Sequence, residues 1–293
     1  MNKFVSFGEV LWDVFPTFKK IGGAPLNVAS RLQSFSNQVA LISAIGNDKL
    51  GKPILDYLQK QNINTSNVQV LDDFDTGKVA VTLNKKGVAS YEIQHPKAWD
   101  KIKPTLAALA LVKEANAFVF GTLAARDQVS KNTLHQLLQV ASYKIFDVNI
   151  RKPFYDINTV LDLMLKADFI KFNDEELYEI GADLGSPYHN LEQNLHFIAS
   201  KTKVKTICVT KGEHGAVLLF EGSLYYNSGF LVKVKDTVGS GDSFLAALIH
   251  KLIAKEEPQK ALNFACAVGA LVAKNDGANP IITEKEISEF LQD

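Results

Sequence analysis

A segment near the C-terminal end combines glycines with two acids in a pattern that could bind a phosphate and move a proton. It reads DTVGSGD over residues 236–242. The amides of Gly239, Ser240 and Gly241 would offer hydrogen-bond donors and the positive end of a helix dipole to an anion. Asp242 would repel that anion unless it takes part in the reaction, where it could accept the proton of an attacking hydroxyl. Helix capping is the commoner role for such an Asp, and this segment alone leaves both roles open.

The residues on either side indicate how this segment is held. Residues 230–235 alternate apolar and charged side chains, which predicts a strand. Leu245, Leu248 and Ile249 then recur with the spacing of one helix face. The segment is therefore predicted to be a turn between a strand and a helix.

A second glycine-rich segment, residues 22–27, reads GGAPLN. It could be a plain turn with Pro at the first helical position, or it could present its glycine amides and Asn27 to a polyhydroxy ligand. The two segments lie more than 200 residues apart and match, in order, the signatures G-G-x-x-x-N-x-A and D-T-x-G-S/A-G-D. Through them the chain resembles the PfkB, or ribokinase-like, family of carbohydrate kinases. The runs GEVLWD, FGTLAARD and DVNIRKPFY make it most similar to the fructokinases of that family.

The resemblance implies ATP-dependent phosphorylation of a sugar hydroxyl, with fructose as the expected sugar. Asp242 would act as the general base, and the amides at 239–241 would form the anion hole. Arg151, in a D-x-N-x-R run, would contact the transferred phosphoryl group. The substrate-binding residues that the resemblance implies are Asp13, Gly22, Gly23, Asn27 and Tyr91.

The resemblance also implies sites for ATP and for metal ions. The residues it assigns to ATP are Thr210, Gly212, Gly215, Asn275 and Gly277. Mg²⁺ would be organised through water by Asn173 and Glu176 of an N-x-x-E motif. A monovalent cation, K⁺, would lie at Asp236 and Val238, although Ile281 stands at one expected polar position. Glycine turns and acids at helix starts are the competing structural interpretations of these residues.

Short apolar runs alternate with helical patterns along the chain, which predicts an α/β fold with a mostly parallel sheet. The resemblance makes this a ribokinase-like three-layer α/β/α sandwich in a single domain, residues 1–293. Two predicted hairpins, at residues 76–93 and 216–226, interrupt the alternation. The first is expected to join a small β-sheet lid built from roughly residues 10–22 and 74–100. Family members often dimerise through such a lid, so a homodimer is a further expectation.

Composition limits the other interpretations. Lys plus Arg and Asp plus Glu number 32 each among 293 residues, and the chain lacks a basic patch, which argues against nucleic acid or a membrane as partner. Cys208 and Cys266 lie in apolar runs and indicate no disulfide framework. Because the N-terminal end lacks a signal-peptide profile, a cytoplasmic protein is expected.

Several alternatives remain open from the residues. Residues 46–53 nearly match a P-loop, but Pro53 replaces the hydroxyl residue that would hold Mg²⁺, and Asp48 would repel phosphate. This segment is therefore not expected to bind a nucleotide. The alternative functions are a kinase of another sugar or a nucleoside (ribose, 2-keto-3-deoxygluconate or adenosine type) and a catalytically silent sugar-binding protein on the same scaffold.

Overall fold

The computed structural model describes the backbone of residues 1–83 and 89–292 and the side chains of residues 1–80 and 92–292. Its strands form two sheets. In chain order the strands are β1 Lys3–Phe7, β2 Leu11–Val14, β3 Lys19–Gly22, β4 Gln38–Gly46, β5 Asn64–Leu71, β6 Gly77–Leu83, β7 Ala89–Ile93, β8 Ala117–Gly121, β9 Lys144–Asp147, β10 Phe169–Asn173, β11 Thr206–Thr210, β12 Ala216–Phe220 and β13 Ser223–Asn227.

The α-helices lie between these strands and after the last one. They are α1 Ala24–Ser34, α2 Gly51–Lys60, α3 Leu106–Lys113, α4 Gln128–Val140, α5 Ile157–Lys166, α6 Asp174–Asp183, α7 Leu191–Thr202, α8 Ser240–Ile253, α9 Pro258–Ala273 and α10 Glu284–Phe290. No helix of the described residues is long and apolar enough to cross a membrane.

The larger sheet has nine strands in the order β13-β12-β11-β10-β9-β8-β1-β4-β5. Its strands are parallel except for β12 and β13, which pair antiparallel at one edge. The chain moves from β1 to β4 and β5 on one side and later returns with β8 on the other side of β1. The carboxyl ends of β1 and β8 therefore flank a topological switch point, the usual ligand-binding crevice of an open parallel sheet.

Helices cover both faces of this sheet, as the predicted three-layer sandwich requires. Apolar side chains of α1, α2, α8 and α9 pack with Phe4, Leu41 and Phe169 in one core. Apolar side chains of α3 to α7 pack with Phe7 and Phe146 in the other. Strands buried on both faces are continuous apolar runs, as in β8. The α/β fold with its mostly parallel sheet is thus confirmed.

The smaller sheet has four strands in the order β3-β2-β6-β7. The predicted hairpin of β6 and β7 is present in antiparallel register, while its turn, residues 84–88, lies outside the described residues. β2 pairs with both β3 and β6, so this sheet carries Asp13 and Gly22. The hairpin of β12 and β13 also forms where it was predicted.

One predicted strand is wrong. Residues 230–235, expected to form the strand before the glycine turn, contain no strand. Their alternation is not reflected in burial, because Val232 is partly buried whereas Leu231 and Val234 are exposed. Alternation describes which side chains face the protein, but a strand also needs a neighbouring backbone to pair with, and none pairs here. The segment instead forms one wall of a large cavity.

Candidate active site

The two glycine-rich segments meet in the structure. Asp242 lies in the first turn of α8, and its Oδ2 accepts a hydrogen bond of 2.8 Å from Nδ2 of Asn27 in α1. Oδ1 of Asn27 accepts in turn from Nδ2 of Asn279 at 2.8 Å. This chain of contacts fixes the amide orientation of Asn27, so that its NH₂ group faces the Asp242 carboxylate. Residues 215 positions apart in sequence are therefore parts of one site.

The turn before α8 requires a glycine at its centre. Gly239 caps α8 with φ of 76°, in the left-handed region. A Cβ atom at Gly239 would lie 2.5 Å from Cα of Ala278, so any other residue would force that loop to move. The close approach brings the residues around 278 against the turn. It thereby fixes where the first amides of α8 point.

The amides of this turn differ from the expectation at one position. The Ser240 amide donates to the Thr237 carbonyl at 3.2 Å, and its hydroxyl donates to the same carbonyl at 2.8 Å. The Ser240 amide is thus paired within the turn, and its contribution to an anion hole stays a prediction. The Gly241 and Asp242 amides lie in the first helical turn, where the helix itself provides no acceptor. They, with Gly239, are the donors that an anion could engage.

The charge state of Asp242 is suited to accepting a proton near neutral pH. Loss of solvent raises the pKa of its carboxyl group to about 6, and the nearby Asp147 carboxylate adds to this. The hydrogen bond from Asn27 and the charges of Lys171 and Arg151 lower the pKa by less. Asp242 is thus ionised above about pH 6, and its proton affinity exceeds that of an ordinary Asp.

The residues predicted to hold the sugar lie beside Asp242. In the register of β2 and β3, Gly22 pairs with Leu11, and a Cβ at Gly22 would overlap Oδ2 of Asp13, two residues further along β2. Gly23 caps α1 with φ of 115°, and a Cβ there would lie 2.5 Å from the Glu9 carbonyl oxygen. Burial and the charge of Asp242 raise the pKa of Asp13 to about 6. The Tyr91 side chain lies outside the described residues.

Arg151 follows β9 and is exposed to solvent. Its guanidinium donates only to its own neighbour, the Ile150 carbonyl, at 2.9 Å within the described part of the chain. Its charge nevertheless acts to lower the pKa of four acids in this region, which are Glu9, Asp13, Glu176 and Asp242. Arg151 therefore lies close enough to the site to act on it while its side chain remains unconstrained.

Asn173 and Glu176 form the start of α6. Oδ1 of Asn173 accepts from the Glu176 amide at 2.7 Å, and Oε2 of Glu176 accepts from the Asn173 amide at 2.9 Å. Oε1 of Glu176 accepts from the Ile150 amide at 3.0 Å, which ties α6 to the loop that carries Arg151. This capping box is the structural interpretation of the N-x-x-E motif. Each carboxylate oxygen keeps a second lone pair, which fits a water-mediated contact to Mg²⁺.

No group of three or more His, Cys, Asp or Glu residues converges on a metal position among residues 1–80 and 92–292. Asp236, predicted for a monovalent cation with Val238, is already engaged. Its Oδ1 accepts from the Val238 amide at 3.0 Å and its Oδ2 from the Gly277 amide at 3.0 Å. Nζ of Lys20, from β3, lies 3.6 Å from Oδ2. A cation at this carboxylate would compete with the Lys20 ammonium group, which the sequence prediction did not foresee.

A large open cavity of about 620 Å³ begins at the glycine turn. Its volume and its mixed polar and apolar lining suit a nucleotide. The residues predicted for ATP that line it are Thr210, Gly212 and Gly215. Phe230, Val232 and Val234 form the opposite wall, and Gly241 lies at the end nearest Asp242.

Two residues predicted for ATP are not part of this lining. Asn275 and Gly277 lie beyond the end of α9, and Gly269, Ala270 and Ala273 of α9 form the wall on this side. Nδ2 of Asn275 donates to the Leu271 carbonyl at 2.8 Å. Small residues of α9 line the cavity on this side, and a role of Asn275 and Gly277 in binding ATP stays a prediction.

Three charged residues near the site, Glu9, Lys171 and Asp147, have no predicted role, although Asp147 begins the D-x-N-x-R run. Glu9 is buried, its Oε2 accepts no hydrogen bond from the residues that the structure describes, and burial raises its pKa to about 7. Lys171 and Asp147 form a buried ion pair at 3.0 Å between β10 and β9. A charged residue inside a buried apolar strand, as Lys171 is within FIKFN, was the available signal.

Two other groups of charged residues make structural contacts. The Arg126 guanidinium bonds both Asp100 oxygens at 2.7 and 2.8 Å and lies 3.9 Å from the centre of the Trp99 ring. These three side chains therefore pack as one buried cluster. Oδ1 of Asp48 accepts from the Leu50 and Gly51 amides at the start of α2, so the rejected P-loop segment initiates a helix.

Comparison with known proteins agrees with this geometry. The family model described as pfkB family carbohydrate kinase matches residues 3–285. Among curated relatives, the protein named probable fructokinase-3 of Arabidopsis thaliana is 26% identical over 322 residues, covering 99% of this chain and 91% of the relative.

Solved structures show the same fold. A double mutant of a fructokinase from Vibrio cholerae O395, described with fructose, ADP and a potassium ion, is 23% identical, with a TM-score of 0.85, and the match covers 99% of this chain and 98% of that one. A putative ribokinase II from E. coli, described in complex with ATP and Mg²⁺, is 21% identical, with a TM-score of 0.88, over 100% and 99% of the two chains.

Proposed function

The chain belongs to the pfkB family of carbohydrate kinases, and on that basis we propose that it transfers the γ-phosphoryl group of ATP to a hydroxyl group of fructose. The observation that carries this proposal is the Asn27–Asp242 hydrogen bond at the end of the nucleotide-sized cavity. It joins a candidate base, a candidate sugar-binding helix and a candidate phosphate turn in one place. A phosphoryl transfer needs these three parts together.

In the proposed reaction the sugar hydroxyl oxygen attacks the γ-phosphorus as Asp242 accepts the hydroxyl proton. The bond from the γ-phosphorus to the bridging oxygen breaks, and its electron pair leaves with ADP. The amides of Gly239 and Gly241 stabilise charge on the phosphoryl oxygens, and Arg151 closes onto them from its solvent-exposed position. Asp13, Gly23 and Asn27 hold the sugar so that the reacting hydroxyl faces Asp242.

When bound with ATP, Mg²⁺ would neutralise charge on the phosphates and keep most of its waters. Glu176 would contact one of those waters, since both of its oxygens are fixed by backbone amides but retain lone pairs. In this role Glu176 holds the loop of Arg151 as well as a water. Thr210, Gly212 and Gly215 would line the rest of the nucleotide.

We assign the small sheet as a lid over the sugar. Its strands β2 and β3 carry Asp13 and Gly22, so movement of this sheet would close or open the sugar site. A homodimer through this sheet and a cytoplasmic location remain predictions. We propose fructose as the sugar because curated relatives that align with nearly the whole of this chain are named fructokinases or probable fructokinases.

The test is a measurement of ADP release by the purified protein with ATP, Mg²⁺ and one acceptor at a time. The acceptors are fructose, glucose, ribose, 2-keto-3-deoxygluconate and adenosine. We expect fructose to give the highest kcat/KM. A higher value for adenosine or ribose would identify a nucleoside or ribose kinase instead, and no turnover with any acceptor would support the silent sugar-binding alternative.

A further inference from the structure

Two buried acids face one small cavity beside the start of α1. Glu9 follows β1, Asp147 ends β9, and each residue is only 4% exposed. Both line a cavity of about 10 Å³, whose wall also includes Ala24 and Pro25 of α1. That volume is about the minimum that holds one water molecule. The cavity is therefore a candidate site for a single small ligand, next to the helix that carries Asn27.

Each of the two carboxyl groups keeps an acceptor for such a ligand. Oε2 of Glu9 and Oδ2 of Asp147 are shielded from solvent, and neither accepts a hydrogen bond from the residues that the structure describes. Oδ1 of Asp147 is engaged, because it accepts from Nζ of Lys171 at 3.0 Å. A buried carboxylate oxygen without a donor is costly. A donor placed in the cavity between the two acids would remove that cost for both.

Water suits this cavity better than a metal ion does. The hydroxyl groups on its wall already donate elsewhere, Ser6 to the Pro25 carbonyl and Thr122 to the Val148 carbonyl. Much of the remaining wall is apolar and includes Val28, Val119, Phe120 and Leu123. Mg²⁺ and Ca²⁺ take about six or more oxygen ligands, and a cavity of this size has no room for the waters that would complete such a set. One water between two acceptors fits what the wall provides.

The strand order gives such a water a structural consequence. β8 lies between β9 and β1 in the large sheet, so the two acids follow strands that are about 10 Å apart. The Glu9 carbonyl lies against Gly23, where a Cβ would be 2.5 Å away. Asp147 leads into the loop that carries Arg151. A water held by both acids would therefore link the sugar-binding segment to the Arg151 loop across the switch point.

We propose that Glu9 is a positioning residue for the transfer reaction: it shares one bound water with Asp147 and thereby fixes the sugar-binding segment relative to the Arg151 loop. The inference rests on the proposed kinase function and describes how that site is held. Glu9 touches neither the sugar nor ATP in this arrangement. Its effect falls on the sugar and not on the nucleotide, because the nucleotide-sized cavity is lined by residues of other elements.

Protonation of Glu9 supplies a hydrogen for this bridge. Burial raises the pKa of Glu9 to about 7, and the charge of Asp242 acts in the same direction. The charges of Arg151 and Arg126 act against it. Below this pH the Glu9 carboxyl donates to the water, and the water donates to Oδ2 of Asp147. Above it a second negative charge faces Asp147 across the water and weakens the bridge.

The test measures KM for fructose and for ATP between about pH 6.5 and 8.5 in the wild type, Glu9→Gln and Glu9→Met. Glu9 titrates in this range, whereas Asp13 and Asp242, with pKa values of about 6, are mostly ionised. In the wild type KM for fructose should rise about three- to tenfold with pH, as one lost hydrogen bond gives, while KM for ATP stays constant. Glu9→Gln donates to the water at every pH and should keep the low value. Glu9→Met cannot hold the water and should show the raised value throughout.

The matched control is Ser43→Ala. Ser43 lies on β4, on the side of β1 away from β8, and its hydroxyl donates to the Gly8 carbonyl at 2.6 Å. The variant removes a buried hydrogen bond next to Glu9 without changing the wall of the cavity. It should lose stability and keep the wild-type pH dependence of KM. Glu9→Met puts an apolar side chain in place of a buried acid, so it should fold at least as stably as the wild type.

A high-resolution crystal structure gives a readout that does not depend on turnover. In the wild type one ordered water should lie within about 3 Å of both Oε2 of Glu9 and Oδ2 of Asp147, and it should be missing from Glu9→Met. A dry cavity in the wild type overturns the inference. So does a KM for fructose that is independent of pH in a wild type that turns over fructose, and in that case the kinase function stands. If the wild type turns over no acceptor, the proposed function fails and this inference falls with it.

Discussion

Replacing Asn27 by Ala should shift the acidic limb of the pH–rate profile to higher pH. The Asn27 amide donates to Asp242 at 2.8 Å and lowers the pKa of that carboxyl, which lies at about 6. Asp242 must be ionised to accept a proton, so kcat/KM in the wild type should fall about tenfold per pH unit below about pH 6. This ratio reports on the free enzyme, which is the state described by the structure.

The size of the shift follows from the contact that is lost. A hydrogen bond to a charged group contributes about 1.5–3 kcal/mol, and one pKa unit corresponds to about 1.36 kcal/mol. Asp242 is partly exposed, so water would replace some of that stabilisation in the variant. We therefore expect the acidic limb to shift to higher pH by about half a pH unit to one pH unit. We also expect kcat/KM to fall at every pH, because Asn27 also positions the sugar.

The assay is direct quantification of ADP formed from ATP and fructose at several pH values between about 4.5 and 8.5. Asp13 is the necessary control, because its pKa is also about 6. In Asp13→Asn the limb should persist and move downward, since a negative charge near Asp242 has been removed. The reasoning is refuted if the limb of Asn27→Ala stays in place or moves down, or if the limb disappears in Asp13→Asn.

Two further predictions concern stability and cations. Glu9→Gln should raise the free energy of unfolding at pH 8 by about 2–3 kcal/mol, because burial raises the pKa of Glu9 to about 7 and ionising it in the folded state is costly. The contribution of Glu9 to stability is present below its unfolded pKa and is lost as pH rises through about 7. The free energies of unfolding of the two proteins, measured by urea titration, should therefore converge near pH 4. A difference that stays constant with pH would contradict this. Lys20→Met should make kcat depend on K⁺, since it removes the ammonium group 3.6 Å from Asp236. The wild type should keep its kcat when K⁺ is replaced by tetramethylammonium. The measurement is kcat in both salts, and K⁺ dependence in the wild type would contradict the prediction.

Sequence patterns predicted the parts of the fold that depend on local chemistry. The helix beginning at Ser240 and the hairpin of β12 and β13 follow from glycine turns and from apolar spacing, which act over a few residues. The Asn27–Asp242 contact could be expected only through the resemblance, because it joins segments 215 residues apart. Pattern matching to a known family carries that long-range information, whereas residue spacing does not.

The features that the residue pattern did not indicate have a common physical cause. Residues 230–235 alternate like a strand, but whether a partner strand exists is decided by the whole sheet. The Ser240 amide donates a hydrogen bond to the Thr237 carbonyl, and the geometry of the turn determines this contact. Lys171 is an ordinary charged residue until β9, β10 and α8 enclose it. Each of these depends on neighbours distant in sequence or on exact backbone angles.

The most direct test of the whole account is kcat of Asp242→Asn, measured together with ATP binding. Asparagine keeps the size of the side chain and one oxygen that can accept from Asn27, but it cannot accept the hydroxyl proton. We expect kcat to fall by about two orders of magnitude or more, with the fold and the affinity for ATP largely unchanged. Turnover close to that of the wild type would contradict the assignment of Asp242 as the base.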